Sequence, residues 1–318
     1  MNEEILVVKN LKKYFQTDLG VVKAVDEISF SVKTGETFGL VGESGSGKST
    51  TAFTIMGIYD PTDGEIFFKG KPLVGGVKKR PLSLKKQMQM VFQDPGSSLN
   101  PRQSIRQIIQ LPLKIHKLYV GQETERIEEL LNIVGLPLEF IDRYPRAIGG
   151  GEKQLVAIAR ALASGSSFIA LDEPTSALDV SMQAKIINKL IDIQEELNLS
   201  YLFITHNLSL MRNVATRVGI MYLGKLVEIA PTSDFFRNPL HPYTKMLLSS
   251  IPVITKEEEE LKPSKALAIG EIPSPVNMPT GCTFHPRCIE CMEICSKMEP
   301  TMVEIEPEHF VSCNLFNN

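Results

Sequence analysis

The chain has 318 residues, of which 43% are hydrophobic and 22% charged, an ordinary balance for a globular domain with an extension. Its formal net charge of −3 argues against a nucleic-acid binder, which usually has a basic surplus. No apolar run approaches the roughly 20 residues of a membrane-spanning helix, and Met1–Lys9 lacks the pattern of a signal peptide. We therefore expect a soluble, cytosolic protein that reaches a membrane only through partner chains.

The first third of the chain predicts β-structure followed by a phosphate-binding unit. Glu4–Val8, Ile28–Val32 and Thr37–Val41 have the apolar patterns of strands, and the third ends at a glycine-rich loop. A helix after that loop completes the strand–loop–helix order that binds phosphate. Gly64–Phe68 predicts another strand, and Lys69–Lys86, which is basic and rich in Gly and Pro, predicts a loop.

The middle of the chain predicts a helical insert. Residues 102–146 contain no strand pattern and are interrupted at Pro112 and Pro137. A further helix is predicted over Gln154–Ala163. The apolar positions that indicate helix in this insert are Ile127, Leu130, Leu131 and Val134.

Strands and helices alternate after the insert. Phe168–Leu171 and Tyr201–Thr205 are short apolar runs typical of buried strands, and Gln183–Leu197 between them predicts a helix. This alternation favours an α/β fold whose parallel sheet is covered on both faces.

The amino-acid composition changes after Tyr243. The charged run Lys256–Glu260 and the proline-rich stretch Pro263–Pro286 predict a linker into a small tail. We therefore predict two parts, residues 1–255 and residues 256–318.

All of the cysteines lie in that tail, which points to a metal or a metal cluster because disulfides are rare in a reducing cytosol. Cys288 and Cys291 form a C-x₂-C pair close to His285, as in zinc sites. Four thiolates would also suit an iron–sulfur cluster, and the spacing alone leaves both open. A set of free structural cysteines is a third possibility, which the clustering disfavours. The cysteines are Cys282, Cys288, Cys291, Cys295 and Cys313.

The glycine-rich loop Gly42–Ser49 matches the phosphate-binding loop at every fixed position. Its glycines allow backbone N–H groups to face a phosphate, and the next helix adds its positive end. Lys48 is predicted to reach the β- and γ-phosphates, and Ser49 to hold Mg²⁺. The predicted ATP-binding residues here are Gly42, Ser44, Gly45, Ser46, Gly47, Lys48, Ser49 and Thr50.

Two carboxylates end the predicted strand Phe168–Leu171. Asp172 offers the hard oxygen ligand that Mg²⁺ prefers. Glu173 is placed to act as the base that polarises an attacking water. Acidic residues are common at strand ends, so this interpretation depends on the phosphate-binding loop.

The order of these motifs resembles the nucleotide-binding domain of ABC transporters. The phosphate-binding loop is followed by Gln93, Ile148–Glu152, Leu171–Glu173, Ser176–Asp179 and His206, and the resemblance covers roughly residues 4–235. It implies a P-loop NTPase fold with a RecA-like core, an antiparallel β-subdomain and a helical subdomain. The stretches that resemble the dipeptide and oligopeptide importers are Val91–Pro95, Ser98–Arg102 and Asn238–Thr244.

The resemblance implies roles for further residues. Gln93 would sense Mg²⁺ and link the site to the membrane subunits, and His206 would contact the γ-phosphate and steady the attacking water. Asp179 would face a second ATPase subunit. Phe15, or its neighbour Tyr14, would stack on adenine, which an aromatic face can do without reading base edges.

The chain departs from the family at the signature loop, where the usual Leu-Ser-Gly-Gly-Gln is replaced by Ile148–Glu152. Gly149 lacks the hydroxyl that would bind the partner's γ-phosphate, and Glu152 adds a negative charge. Gly150 and Gly151 still permit close backbone approach to ATP. Losing one hydrogen bond to a charged group costs about 1.5–3 kcal/mol, a ten- to hundredfold effect.

The resemblance also implies cofactors and partners. ATP and Mg²⁺ are expected, and the tail resembles an extension that holds a [4Fe–4S] cluster, here through Cys282, Cys288, Cys295 and Cys313, with Zn²⁺ as the alternative. The implied partners are a second ATPase subunit, two membrane permease subunits and an extracellular solute-binding protein, with no nucleic acid. The altered signature loop beside an intact phosphate-binding loop, Glu173 and His206 predicts that the two ATPase subunits form a heterodimer with unequal sites. The alternative is that Gly149 is tolerated because backbone N–H groups alone bind the phosphate.

The expected function is that of an ATP-hydrolysing subunit that powers import of di- and oligopeptides from the cytoplasmic face of the membrane. A soluble ABC ATPase acting on DNA or the ribosome is a rival, but such proteins usually carry a coiled-coil insert or two cassettes. A nucleotide-gated subunit without turnover is another rival, which Glu173 disfavours because such subunits often lack this carboxylate.

Overall fold

The computed structural model describes residues 3–251 and 270–317, whose strands form two sheets. The smaller sheet is antiparallel with strand order β2-β1-β4-β5. Alternate side chains of its second strand, Ile28, Phe30 and Val32, are buried, as expected for a sheet with one covered face. Its strands are β1 Glu4–Thr17, β2 Gly20–Lys33, β4 Asp63–Phe68 and β5 Lys71–Pro72.

The larger sheet has strand order β11-β12-β10-β9-β3-β8-β7-β6. From β9 to β6 the neighbours are parallel, whereas the pairs that involve β10, β11 and β12 are antiparallel. Strands β3, β7 and β8 are buried along their whole length, because helices cover one face and the smaller sheet, together with the helix that begins at Lys48, covers the other. The strands are β3 Thr37–Val41, β6 Met88–Val91, β7 Phe168–Asp172, β8 Ser200–Thr205, β9 Arg217–Tyr222, β10 Lys225–Pro231, β11 Met302–Glu306 and β12 His309–Ser312.

The helices include the predicted insert between β6 and β7. The apolar positions that predicted helix there, Ile127 to Val134, are buried. Ser104 and Gln107 form a reciprocal cap at the start of α4. In chain order the helices are α1 Lys48–Met56, α2 Leu82–Gln87, α3 Pro95–Ser98, α4 Ile105–Ile115, α5 Glu123–Val134, α6 Gly150–Leu162, α7 Val180–Leu197, α8 Leu208–Val214, α9 Thr232–Arg237 and α10 Pro242–Ser249.

Two local expectations were wrong. The predicted loop Lys69–Lys86 contains β5 and most of α2, which begins directly after Pro81 and has Lys85 and Lys86 in its last turn, where cations favour the helix dipole. Pro112 does not interrupt α4, because it lies near the C-terminal end, where few backbone hydrogen bonds follow and the buried Leu113 holds the last turn.

The C-terminal part of the described chain is joined to the main sheet. β12 pairs with β10, in the register Glu228 with Val311. The carboxylate of Glu228 is completely buried and accepts hydrogen bonds from the backbone N–H groups of Leu240 and His241, and it contacts the ring of His309 at 2.8 Å. The predicted boundary between residues 255 and 256 lies outside the described residues and stays a prediction.

Among residues 3–251 and 270–317, no helix combines the length and the apolar character needed to cross a bilayer.

The buried Glu228 provides a test of this architecture. We expect Glu228→Ala to lower the free energy of unfolding by about 3 kcal/mol, because it leaves buried donors on three neighbours without an acceptor. Urea denaturation followed by circular dichroism measures this. Glu65→Ala, at an exposed position of β4, is the matched control, and equal effects of the two changes would contradict the proposed role of Glu228.

Candidate nucleotide site

The glycine-rich loop lies between the buried strand β3 and helix α1 and requires glycine at two close approaches. Gly47 has φ = 105°, and a Cβ there would lie 2.1 Å from the carbonyl oxygen of Ala24. A Cβ at Gly42 would lie 2.1 Å from the carbonyl oxygen of Met221. The loop is therefore held against β2 and β9, with its backbone at the N-terminus of α1.

Lys48 lies under this loop with its charge largely withdrawn from water. Its Nζ donates to the carbonyl oxygens of Gly42 at 2.7 Å and Glu43 at 2.9 Å. Burial lowers the pKa of Lys48, and the carboxylates of Glu173, Asp172 and Glu43 oppose that shift. A phosphate group would be a stronger acceptor for this ammonium than the neutral carbonyls that hold it.

Ser49 and Asp172 converge from α1 and β7. The Ser49 hydroxyl donates to Asp172 Oδ1 at 2.8 Å. Burial raises the pKa of Asp172, and the Ser49 hydrogen bond partly offsets this. A hydroxyl and a carboxylate side by side are hard oxygen donors that fit Mg²⁺.

Glu173 is held between two predicted site residues. Gln93 Nε2 donates to Glu173 Oε2 at 3.0 Å, and His206 Nδ1 lies 3.1 Å from Glu173 Oε1. The Glu173 backbone has φ = 45°, a left-handed conformation that is uncommon outside glycine. Its N–H donates to the carbonyl oxygen of Ile204, which ties this turn to β8. The structure therefore brings Gln93, Glu173 and His206 together.

Lys48, Ser49, Gln93, Glu173 and His206 line a cleft of about 580 Å³, whereas Asp172 is not among its lining residues. Most of the residues predicted to bind phosphate line it, whereas Gly42 and Ser46 do not. Sequence reasoning missed the walls formed by β2, by the turn between β9 and β10 and by Pro275, which carry no local motif. The lining residues are Val22, Lys23, Ala24, Ser44, Gly45, Gly47, Lys48, Ser49, Thr50, Gln93, Glu173, His206, Leu223, Gly224 and Pro275.

The two candidate adenine residues lie beside the cleft and are not among its lining residues. Phe15 pairs with Val22 across the β1–β2 hairpin and packs edge-on against Tyr59. Tyr14 donates its hydroxyl to Asp26, so its polar end is already engaged. Each candidate pairs with a lining residue, Phe15 with Val22 and Tyr14 with Lys23, so strand register does not choose between them.

The signature-loop residues form a separate cluster that does not line the cleft. Gly149 is the N-cap of α6, and a Cβ on it would lie 2.5 Å from Glu152 Oε2. A Cβ on Gly151 would lie 2.5 Å from Met182, and one on Gly150 would lie 3.4 Å from Leu178. This cluster therefore joins the N-termini of α6 and α7.

Asp179 belongs to the same cluster as the N-cap of α7. Its carboxylate accepts hydrogen bonds from the Ser181 hydroxyl at 2.6 Å and the Met182 N–H at 2.9 Å. Those two bonds lower the pKa of Asp179. The predicted position of Asp179 opposite a second subunit stays a prediction.

The predicted cysteine ligands lie close to one another. The Cys282 N–H donates to the Cys295 carbonyl oxygen at 2.8 Å. Burial raises the pKa of Cys282 to about 11 and of Cys288 to about 12, and both thiols also interact with Cys313. Cys291 is exposed at the edge of the group. Within residues 3–251 and 270–317, no three His, Cys, Asp or Glu side chains are arranged to hold a metal ion, so the geometry assigns neither zinc nor a cluster.

Comparisons with known proteins support the motif interpretation. Residues 25–176 match the family model described as "ABC transporter", and residues 227–295 match "Oligopeptide/dipeptide transporter, C-terminal region". The chain is 48% identical to the oligopeptide transport ATP-binding protein AppF of Bacillus subtilis, over 99% of this chain and 98% of that protein. It is 40% identical to the dipeptide transport ATP-binding protein DppF of Haemophilus influenzae, over 98% and 97% of the two chains.

Solved structures give the same fold. The chain superposes with a TM-score of 0.66 on cbiO1 from Clostridium perfringens, part of the ABC transporter complex cbiONQ, at 28% identity over 74% of this chain and 92% of that one. It superposes with a TM-score of 0.63 on a dimeric ATP-binding cassette in a post-hydrolysis state with ADP and Pi, at 28% identity over 71% and 98%.

Proposed function

This chain belongs to the ABC transporter ATP-binding proteins of the oligopeptide and dipeptide branch, and we propose that it is the ATP-hydrolysing subunit of an importer of di- and oligopeptides. One observation carries the catalytic part of this proposal. Glu173 is held by Gln93 and His206 in the cleft that also contains Lys48.

The C-terminal region of the chain supports a peptide cargo. Residues 227–295 match the C-terminal region of oligopeptide and dipeptide transporters, and the relatives named for those cargoes align over nearly the whole chain. In this proposal the chain itself does not bind the transported peptide. Peptide specificity would come from an extracellular solute-binding protein and from the permease subunits.

The phosphates of ATP would bind over the backbone of the Gly42–Ser49 loop, with Lys48 as the cation. Ser49 and Asp172, which already touch, would hold Mg²⁺ together with Gln93. When bound, this ion supplies charge neutralisation for the phosphates. Glu173 would accept a proton from the water that attacks the γ-phosphate, and His206 would orient Glu173 and that water.

Two permease subunits would dock beside Gln93. A groove of about 320 Å³ between β6 and the helices around it is lined by apolar side chains that include Met56, Ile58 and Phe92, with Arg80 and Arg160 at its polar positions. Phe92 precedes Gln93 in the chain, so a permease segment in this groove would contact the residue before a catalytic group. Docking there would hold this chain peripherally on the cytoplasmic face of the membrane.

A second, related ATPase subunit would complete the working site. The signature cluster lies away from the cleft, so it would serve the ATP held by a partner. At Gly149 the carboxylate of Glu152 occupies the space that a side chain would need, at the positive end of α6 where an anion would bind. A homodimer would carry this defect at both sites, which favours a heterodimer whose partner has an intact signature.

The C-terminal thiols would hold a [4Fe–4S] cluster. The support is that Cys282 interacts with Cys295 and Cys313, that Cys288 interacts with Cys282 and Cys313, and that all four thiols are half-buried or buried. The cluster would supply structural cross-linking of the tail, since ATP hydrolysis needs no electron transfer.

Substitution of Glu173 tests its proposed role as the general base. Glu173→Gln should keep ATP binding but reduce ATP turnover of the assembled complex by about 10²–10⁴-fold, because the general base is lost. Lys48→Ala should instead weaken ATP binding by about ten- to a hundredfold. A steady-state ATPase assay and nucleotide titration measure both. Glu195→Gln, on the exposed face of α7, is the control, and normal turnover by Glu173→Gln would reject the assignment.

Metal analysis tests whether the C-terminal thiols hold a [4Fe–4S] cluster. Protein purified without oxygen should contain about four irons per chain and show the broad visible absorption of an iron–sulfur centre. Cys288→Ser should lose the iron and lower thermal stability more than turnover. Cys291→Ser should keep the iron, because this exposed thiol is outside the ligand set. Stoichiometric zinc without iron would overturn the cluster proposal.

Matched substitutions in the two ATPase subunits test whether their two ATP sites differ in turnover. Glu173→Gln in this chain should remove most of the ATPase activity of the heterodimer, whereas the equivalent change in the partner should remove little. The double change Gly149→Ser with Glu152→Gln should raise turnover at the partner's ATP by about tenfold, because one hydrogen bond to a charged group is regained. Equal losses from the two base substitutions would contradict the model, as would full activity of this chain as a homodimer.

A further inference from the structure

A side chain from the cysteine-bearing segment reaches the phosphate-binding loop. Arg287 ends the 3₁₀ turn His285–Arg287 and precedes Cys288. Its two terminal nitrogens donate to the two carboxylate oxygens of Glu43, at 2.9 and 3.3 Å. The Arg287 side chain is 8% exposed and the Glu43 side chain 26%, so the guanidinium of this two-pronged ion pair is buried and the carboxylate is partly exposed.

Glu43 is the second residue of the phosphate-binding loop and is held at three points. Arg287 holds its carboxylate, the hydroxyl of Tyr243 accepts from its N–H at 3.1 Å, and its carbonyl oxygen accepts from Lys48 Nζ at 2.9 Å. A displacement of Glu43 would therefore move an acceptor of the ammonium that is proposed to bind phosphate.

A cluster of packed aromatic rings lies beneath this contact. The rings of Tyr222 and Tyr243 have centroids 4.6 Å apart, and each lies 5.3 Å from the ring of Phe284, which begins the turn. Arg287 also lies 3.5 Å from the Tyr222 hydroxyl. Packed aromatic side chains of this kind transmit small displacements because the interior is dense.

The same segment contacts the cleft at a second place. Pro275 lines the cleft, and a Cβ on Gly20, the first residue of β2, would meet Val276 at 3.0 Å. Residues 275–288 thus touch both the rim of the nucleotide cleft and the loop beneath the phosphates.

We propose that Arg287 is a positioning residue of the nucleotide site: it holds and neutralises Glu43, so that the C-terminal segment and ATP binding are energetically coupled. This inference rests on the proposed ATP binding. Without Arg287, the Glu43 carboxylate would remain uncompensated beside the place where phosphates bind. By thermodynamic reciprocity, ATP would also stabilise the segment that carries Cys282 and Cys288.

The test measures binding of a fluorescent ATP analogue to the full chain. Arg287→Gln should weaken binding by about tenfold, since a hydrogen-bonded charge pair is broken. Glu43→Gln, which leaves the tail unaltered, should weaken it less. The double variant should bind more tightly than Arg287→Gln alone, because the uncompensated carboxylate is gone. Lys297→Gln removes an exposed ion pair with Glu293 in the same segment and is the matched control.

Amide hydrogen exchange supplies a second readout that a merely structural role would not move. ATP should slow exchange over residues 282–295 in the wild-type chain and in Lys297→Gln, and this protection should be lost in Arg287→Gln and in Glu43→Gln. Unchanged affinity of Arg287→Gln, or losses that multiply in the double variant, would overturn the inference alone. Failure of the wild-type chain to bind ATP would overturn the proposed function as well.

Discussion

The site depends on the pairing of three parallel strands, whose carboxyl ends share one edge of the main sheet. β3 leads into the phosphate-binding loop, β7 ends at Asp172 and β8 leads to His206. The register that pairs Val41 with Thr205 and Asp172 with Ile204 brings these ends level. Since side chains alternate along a strand, a shift of one residue would turn Asp172 away from Ser49. Burial of all three strands prevents such a shift.

The C-terminal part of the chain extends this arrangement rather than standing apart from it. β12 adds to β10 through the buried carboxylate of Glu228, and the aromatic group around Phe284 lies beneath the phosphate-binding loop. The loop is therefore supported from two directions, by the parallel strands and by the segment that carries Arg287. The thiols can have a structural role while Arg287 acts on the nucleotide site, because Cys288 directly follows Arg287 at the end of one short turn.

The sequence predicted the parts of this molecule that have local signatures. The phosphate-binding loop, the strands Thr37–Val41 and Phe168–Leu171 and the amphipathic α5 all depend on residues close in sequence. Gln93 and His206 came from the order of family motifs, since neither has a local pattern that implies catalysis. Their shared contact with Glu173 required the structure.

The remaining features depend on long-range pairing, which leaves no local pattern. β9 to β12 were not predicted. β9 and β10 form a hairpin, as do β11 and β12, but the pairings that place them in the main sheet, β9 with β3 and β12 with β10, join segments far apart in the chain. The cleft walls at Val22, Gly224 and Pro275 have the same origin. The contact between Arg287 and Glu43 joins residues 244 positions apart, and a lone arginine beside a cysteine gives no sign of it. The predicted interruption of the helix at Pro112 was wrong, because the effect of a proline on a helix depends on its distance from the helix end, and the end of α4 was not known from the sequence.

The central claim is that ATP hydrolysis by this chain drives peptide import. The most direct measurement is to purify the intact complex through this chain, identify its solute-binding protein and reconstitute the complex in proteoliposomes. Uptake of labelled di- and oligopeptides would be compared with uptake of an oligosaccharide and of Ni²⁺. The account predicts permease subunits in the complex, peptide uptake that requires ATP, and ATPase activity stimulated by peptide-loaded binding protein. Stimulation by another solute without any response to peptides would contradict it.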